Sequence, residues 1–115
     1  MFTLLWTREA KAAYDELKAK AEASLVSRQK RRKAKSSRDE GLFKQVHKTV
    51  TLLASNPKHP GLQIHEYHSL PHPYNQKQKV LEAYVQHRTP GAYRVFWCYG
   101  PGKQQIALIS ITPHP

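Results

Sequence analysis

At 115 residues the chain has room for one hydrophobic core and not for two, so any site it carries shares a single scaffold. A hydrophobic content of 39% and a charged content of 23% exclude a wholly disordered chain, and a single cysteine, Cys98, excludes an internal disulfide or a thiolate zinc site. The net charge of +11 points to a polyanionic partner, because Lys and Arg that neutralise phosphates release condensed counterions.

Phe2 to Trp6 is a short apolar run suited to a pleated surface, and predicts a strand. It is too short for a secretory signal core, and no run of about 18 apolar residues follows, so a cytoplasmic protein with no membrane partner is expected. Thr7 offers a side-chain oxygen to cap a helix, with Glu9 well placed in its first turn. From Ala10 onward Ala13, Tyr14, Leu17, Ala21 and Leu25 recur at helical spacing and form a narrow, alanine-rich stripe.

Charge is concentrated next. Arg28, Lys30, Arg31, Arg32, Lys33, Lys35 and Arg38 contribute seven cations with no acid among them, leaving twelve bases against eight acids elsewhere. If the first helix continues to about Lys35 it spans some 28 residues, or about 42 Å, and residues 28–38 form a basic hairpin tip or loop projecting beyond the sheet. Such a tip favours contact with the RNA backbone, which raises affinity without specifying sequence.

Ser37-Arg-Asp-Glu40 has the form of a capping box and predicts a second helix, with Leu42, Phe43, Val46, Val50 and Leu53 on its apolar side, ending before Asn56-Pro57. After Pro60-Gly61 the character changes to short extended runs: Leu62 to Tyr67, Val80 to His87, Ala92 to Tyr99 and Gln105 to Thr112, with turn chemistry between the last three. The fold class expected is α+β, as one domain over residues 1–115: an N-terminal strand, a long helical hairpin covering one sheet face, then an antiparallel C-terminal sheet.

Alternation assigns the faces. Leu81, Ala83, Val85, Tyr93, Val95, Trp97, Ala107, Ile109 and Ile111 read as core, whereas Glu82, Tyr84, Arg94, Phe96, Ser110, Thr112 and His114 share the opposite side. Hairpins centred near residues 89–90 and 102 set Tyr84 opposite Arg94, and Arg94 opposite Ser110. His65, His68 and His72 lack a fixed metal-binding spacing, and Cys98 has no histidine and acid placed to make it a nucleophile.

Asn56-Pro-Lys-His-Pro-Gly-Leu62 with His65 and Leu70, then Val80-Leu-Glu-Ala-Tyr84, Tyr93-Arg-Val-Phe-Trp97, and Ile106 to Ile111 followed by His114, together resemble the RelE/ParE toxin superfamily over nearly the whole chain. The resemblance implies a cognate antitoxin as partner, with mRNA and the ribosome as targets of the RNase branch, and no cofactor or metal. In that branch a concave sheet face directs a ribose 2′-OH at the adjacent phosphate. Arg94 matches the strand arginine that neutralises the transition state, and His114 the C-terminal histidine that protonates the leaving 5′-oxygen. His65 and Glu82 match alternative bases, and Tyr84 and Phe96 are placed to stack a base. Three functions therefore compete: a ribosome-associated mRNA endoribonuclease, a ParE-like toxin that inhibits a topoisomerase without chemistry of its own, and a noncatalytic nucleic-acid-binding module.

Overall fold

A computed structural model describes residues 1–31, 37–87 and 91–113; Arg32, Lys33, Lys35 and His114 lie outside the described residues. The chain runs β1 (Thr3–Trp6), α1 (Arg8–Lys30), α2 (Arg38–Ser55), a 3-10 turn (Pro60–Leu62), β2 (His65–Tyr67), β3 (Val80–Tyr84), β4 (Tyr93–Tyr99) and β5 (Gln105–Pro113). The five strands form one mixed sheet in the order β1-β5-β4-β3-β2, with β1 parallel to β5 and every other pair antiparallel. No helix among the described residues is long and apolar enough to cross a membrane.

Both helices begin where the sequence signals them. The Thr7 hydroxyl accepts from the Ala10 N–H, and at Ser37 both halves of the capping box with Glu40 are made. Helix α1 stops at Lys30 rather than near Lys35, after 23 residues or roughly 35 Å. Its last turn closes through the Arg31 N–H on the Ser27 carbonyl, and Arg28 and Lys30 complement the negative end of the helix dipole. Leu25, expected on the apolar stripe, is 37% exposed.

The core lies between the helices and one sheet face. Ala10, Val46, Val50 and Leu53 meet Ala83, Val85, Val95, Trp97, Ile106, Leu108 and Ile111, with Leu62 sealing one end and Leu81 and Tyr93 packed at the margin. In β3 and β4 this follows the expected alternation. In β5 it does not: Trp97 pairs with Leu108 while Phe96 pairs with Ser110, so Ile109 is an extra residue. Ile106 and Leu108 therefore enter the core where Ala107 and Ile109 were expected. The carbonyl of Ile109 is taken by the Thr7 hydroxyl at 2.6 Å.

Candidate active site

The face away from the helices is organised as two adjacent rows of side chains. One runs His65, Glu82, Phe96, Ser110 across β2 to β5, and the next runs Tyr84, Arg94, Thr112 across β3 to β5. Tyr84 thus faces Arg94 as expected, but Thr112 stands opposite Arg94 and Ser110 opposite Phe96, because the register is already shifted by one residue at Trp97–Leu108 and the bulge adds another. His65 and Glu82, separated by 16 residues of chain that include a long loop, are direct cross-strand partners, whose Cβ atoms stand roughly 5 Å apart.

Arg94 is not a solvent-facing strand residue; it is 8% exposed. Its guanidinium carbon stands 3.7 Å from the Tyr84 ring centroid, and Nη1 donates to the carbonyls of Gln86 at 3.1 Å, Ala92 at 3.3 Å and Tyr93 at 3.2 Å. Nε is buried without a hydrogen-bond partner. Glu82, also 8% exposed, has Oε2 in the same condition. A buried polar atom left unpaired costs on the order of 1–3 kcal/mol, more when charged. The fold therefore leaves one unsatisfied atom in each of two charged side chains, on neighbouring strands and on one face.

Aromatic rings surround this pair. Tyr84 lies between two imidazoles, with ring centroids 5.6 Å from His65 and 5.2 Å from His87. With Arg94 against it, the Tyr84 ring holds the guanidinium in place. Phe96 is 2% exposed and lies 4.5 Å, centroid to centroid, from Tyr67, so Tyr67 presents the outer aromatic surface there. His87, Gln86 and Tyr67 were not singled out in the sequence. The two aromatics had a usable signal: Tyr67 shares a strand face with His65, and His87 follows Tyr84 by three residues across the strand end.

The basic tip divides into parts with different roles. Lys30, Arg31 and Arg38 are exposed. Arg28 is engaged by Glu40, its Nη2 donating to Oε1 at 2.8 Å, and Ser24 bonds both Ser37 and Glu40 beside it. The Arg28 guanidinium, helped by the Ser37 backbone N–H, holds the Glu40 carboxyl down at about 2.

His65, His68 and His72 do not converge: His68 lies beside Glu66, and His72 turns to the Tyr99 carbonyl. Among the described residues no three His, Cys, Asp or Glu side chains are gathered as a metal ion would need. Cys98 is fully buried, and burial pushes its thiol up to about 11 against the opposing hydrogen bond from the Ala107 backbone.

The backbone matches that of the YoeB/ParE toxin from Agrobacterium tumefaciens, with a TM-score of 0.59 over 98% of this chain and 99% of that chain, at 10% sequence identity. YafQ from E. coli strain BL21(DE3) matches with a TM-score of 0.48 at 12% identity, over 99% of this chain and 94% of that one. No protein-family model and no curated protein matches the sequence. The first likeness establishes that this chain shares the fold of that toxin.

Proposed function

We propose that this chain is a toxin-like endoribonuclease that cleaves mRNA on the ribosome and is held inactive by a cognate antitoxin. The observation that carries this reading is the pair of buried, unpartnered charged atoms, Glu82 Oε2 and Arg94 Nε, on one face of adjacent strands. Neither atom's hydrogen-bonding capacity is used within the protein, so each can serve a substrate once the side chains covering it move aside. The shared fold with a protein described as a YoeB/ParE toxin supports the toxin class and, with it, an antitoxin.

In the proposed reaction the ribose 2′-OH gives its proton to Glu82, with His65, its cross-strand partner, as the alternative base. The 2′-oxygen bonds to the adjacent phosphorus, the P–O5′ bond breaks, and a 2′,3′-cyclic phosphate is left. Arg94 offsets the charge that builds on the phosphorane, and its fixed position means that little reorganisation is needed as that charge develops. The departing 5′-oxygen takes a proton from a histidine: His114 by the resemblance, or His87, which adjoins Tyr84. No metal or cofactor enters this scheme. Lys30, Arg31 and Arg38, exposed at the base of the hairpin tip, support contact with ribosomal RNA phosphates.

Induced expression of wild type and Arg94→Ala, followed by growth and by mapping of mRNA 5′ ends, tests the reading. Growth arrest with new ends is expected, with both lost in the variant; arrest without new ends sinks it. One observation favours a noncatalytic, ParE-like toxin instead: Arg94 Nη1 is already committed to three backbone carbonyls, as in a purely structural arginine. The same mapping separates the two, since such a toxin arrests growth and leaves mRNA ends unchanged.

A further inference from the structure

The excursion between β2 and β3, residues 68–79, is held in one shape by His72. This side chain is 7% exposed, and its Nδ1 accepts from the backbone N–H groups of Tyr74 at 3.1 Å and Asn75 at 2.9 Å. A ring nitrogen that accepts twice leaves Nε2 as the protonated one, and Nε2 donates to the Tyr99 carbonyl at 3.3 Å. Asn75 closes the following turn, accepting from the Lys77 N–H on Oδ1 and from the Gln78 N–H on its carbonyl. The loop is thereby tied to the end of β4.

Between this loop and the strands opens a cavity of about 470 Å³, within the roughly 300–1,000 Å³ of small-ligand sites. Tyr67 and Val80, which line it, are cross-strand partners on the same face as the next pair, His65 and Glu82. Two residues of strand separate the pairs, or about 7 Å. The Tyr67 ring also packs at a tilt against the buried Phe96, whose partner is Glu82, so aromatic packing links the cavity to the candidate active face.

The lining suits a base rather than a phosphate. The side-chain amides of Gln76 and Gln78 have no hydrogen-bond partners among the described residues, and each offers a donor and an acceptor. Lys79 is neutralised by Glu66 at 2.6 Å, so the rim holds no uncompensated lysine to attract an anion. Stacking on an aromatic ring combined with hydrogen bonds to a base edge is how proteins read an unstacked single-stranded base.

We propose that this cavity is a base-recognition subsite, which takes one nucleobase of the RNA strand next to the nucleotide held over Glu82 and Arg94. It rests on the ribonuclease reading of that face and adds to it a determinant of where the strand is cut. The test uses non-cleavable 2′-O-methyl hexamers of A, C and U, with affinity read by fluorescence anisotropy at one salt concentration. Wild type is expected to separate the best from the worst hexamer by about tenfold. Gln76→Ala/Gln78→Ala is expected to bind all three alike, with the salt dependence of binding unchanged because no phosphate contact is lost. His72→Ala, which frees the loop, should lower the preference without touching the amides.

Equal binding, or no binding, of the three hexamers by wild type overturns the subsite and leaves the cavity to a protein segment; a preference that survives in the double variant overturns it too. Cleavage of unmodified RNA is measured separately. A wild type that cleaves nothing yet keeps a preference abolished in the double variant retains the subsite and loses the nuclease reading. A wild type that cleaves RNA without base preference has the reverse outcome.

Discussion

The guanidinium carbon of Arg94 lies 3.7 Å from the centroid of the Tyr84 ring, and the two residues are direct partners across β3 and β4. A planar cation on an aromatic face, with one nitrogen shared among three carbonyls, is a geometry that lysine cannot reproduce. Arg94→Lys is therefore expected to lower stability by about 1–2 kcal/mol. Urea unfolding at neutral pH measures it. A midpoint equal to wild type would show that charge alone matters at this position.

Glu82 presents the opposite case, a buried carboxylate with one oxygen unpartnered. Replacing it with an apolar side chain of similar length removes a buried polar atom that has no hydrogen-bond partner. Glu82→Met should be more stable than wild type by on the order of 1 kcal/mol, while the proposed mRNA cleavage is lost. A variant that unfolds at lower urea than wild type would mean that the carboxylate stabilises the fold.

The Glu40 carboxyl, held at about 2 by Arg28 and Ser37, links hairpin stability to acid. Its folded value lies below its unfolded one, near 4.5, so the stabilisation is fully present above that value and is lost as pH falls from about 4.5 toward 2. Melting temperatures of wild type and Glu40→Gln should differ at pH 7 and converge by about pH 2 to 3. A difference that stays constant over this range would remove the ion pair as its cause.

Thr7 joins two distant parts of the chain through one hydroxyl, which accepts from Ala10 N–H at 3.1 Å and donates to the Ile109 carbonyl at 2.6 Å. Thr7→Ala removes a helix cap and leaves the bulge carbonyl without this donor, so a loss of about 2 kcal/mol is expected. Thr7→Ser keeps both bonds and should lose much less. Thermal unfolding of the pair decides it, and equal losses would place the effect in the threonine methyl group.

What could be read from the sequence was local. Thr7, Ser37 with Glu40, and Asn56-Pro57 bound the helices through contacts only a few residues apart, and those bounds stand in the structure. The first hairpin register, with Tyr84 opposite Arg94, was also legible, because both strands alternate regularly. The core residues of β3 and β4 follow from the same alternation.

Tertiary contacts decided the rest. The extra residue at Ile109, which lets Ile106 and Leu108 share the core face with Ile111, is bonded by Thr7, a residue 102 positions earlier. No short-range pattern encodes a partner so distant. The pairing of His65 with Glu82, the burial of Arg94 and the pinning of the 68–79 loop by His72 arise in the same way, from strands and loops brought together only when the sheet closes. The sequence by itself determined which side chains lie on the helix-free face of β3 and β4, since alternation along a strand is a property of its own backbone. Which of them meet, and which are left buried without a partner, was decided by the packed sheet.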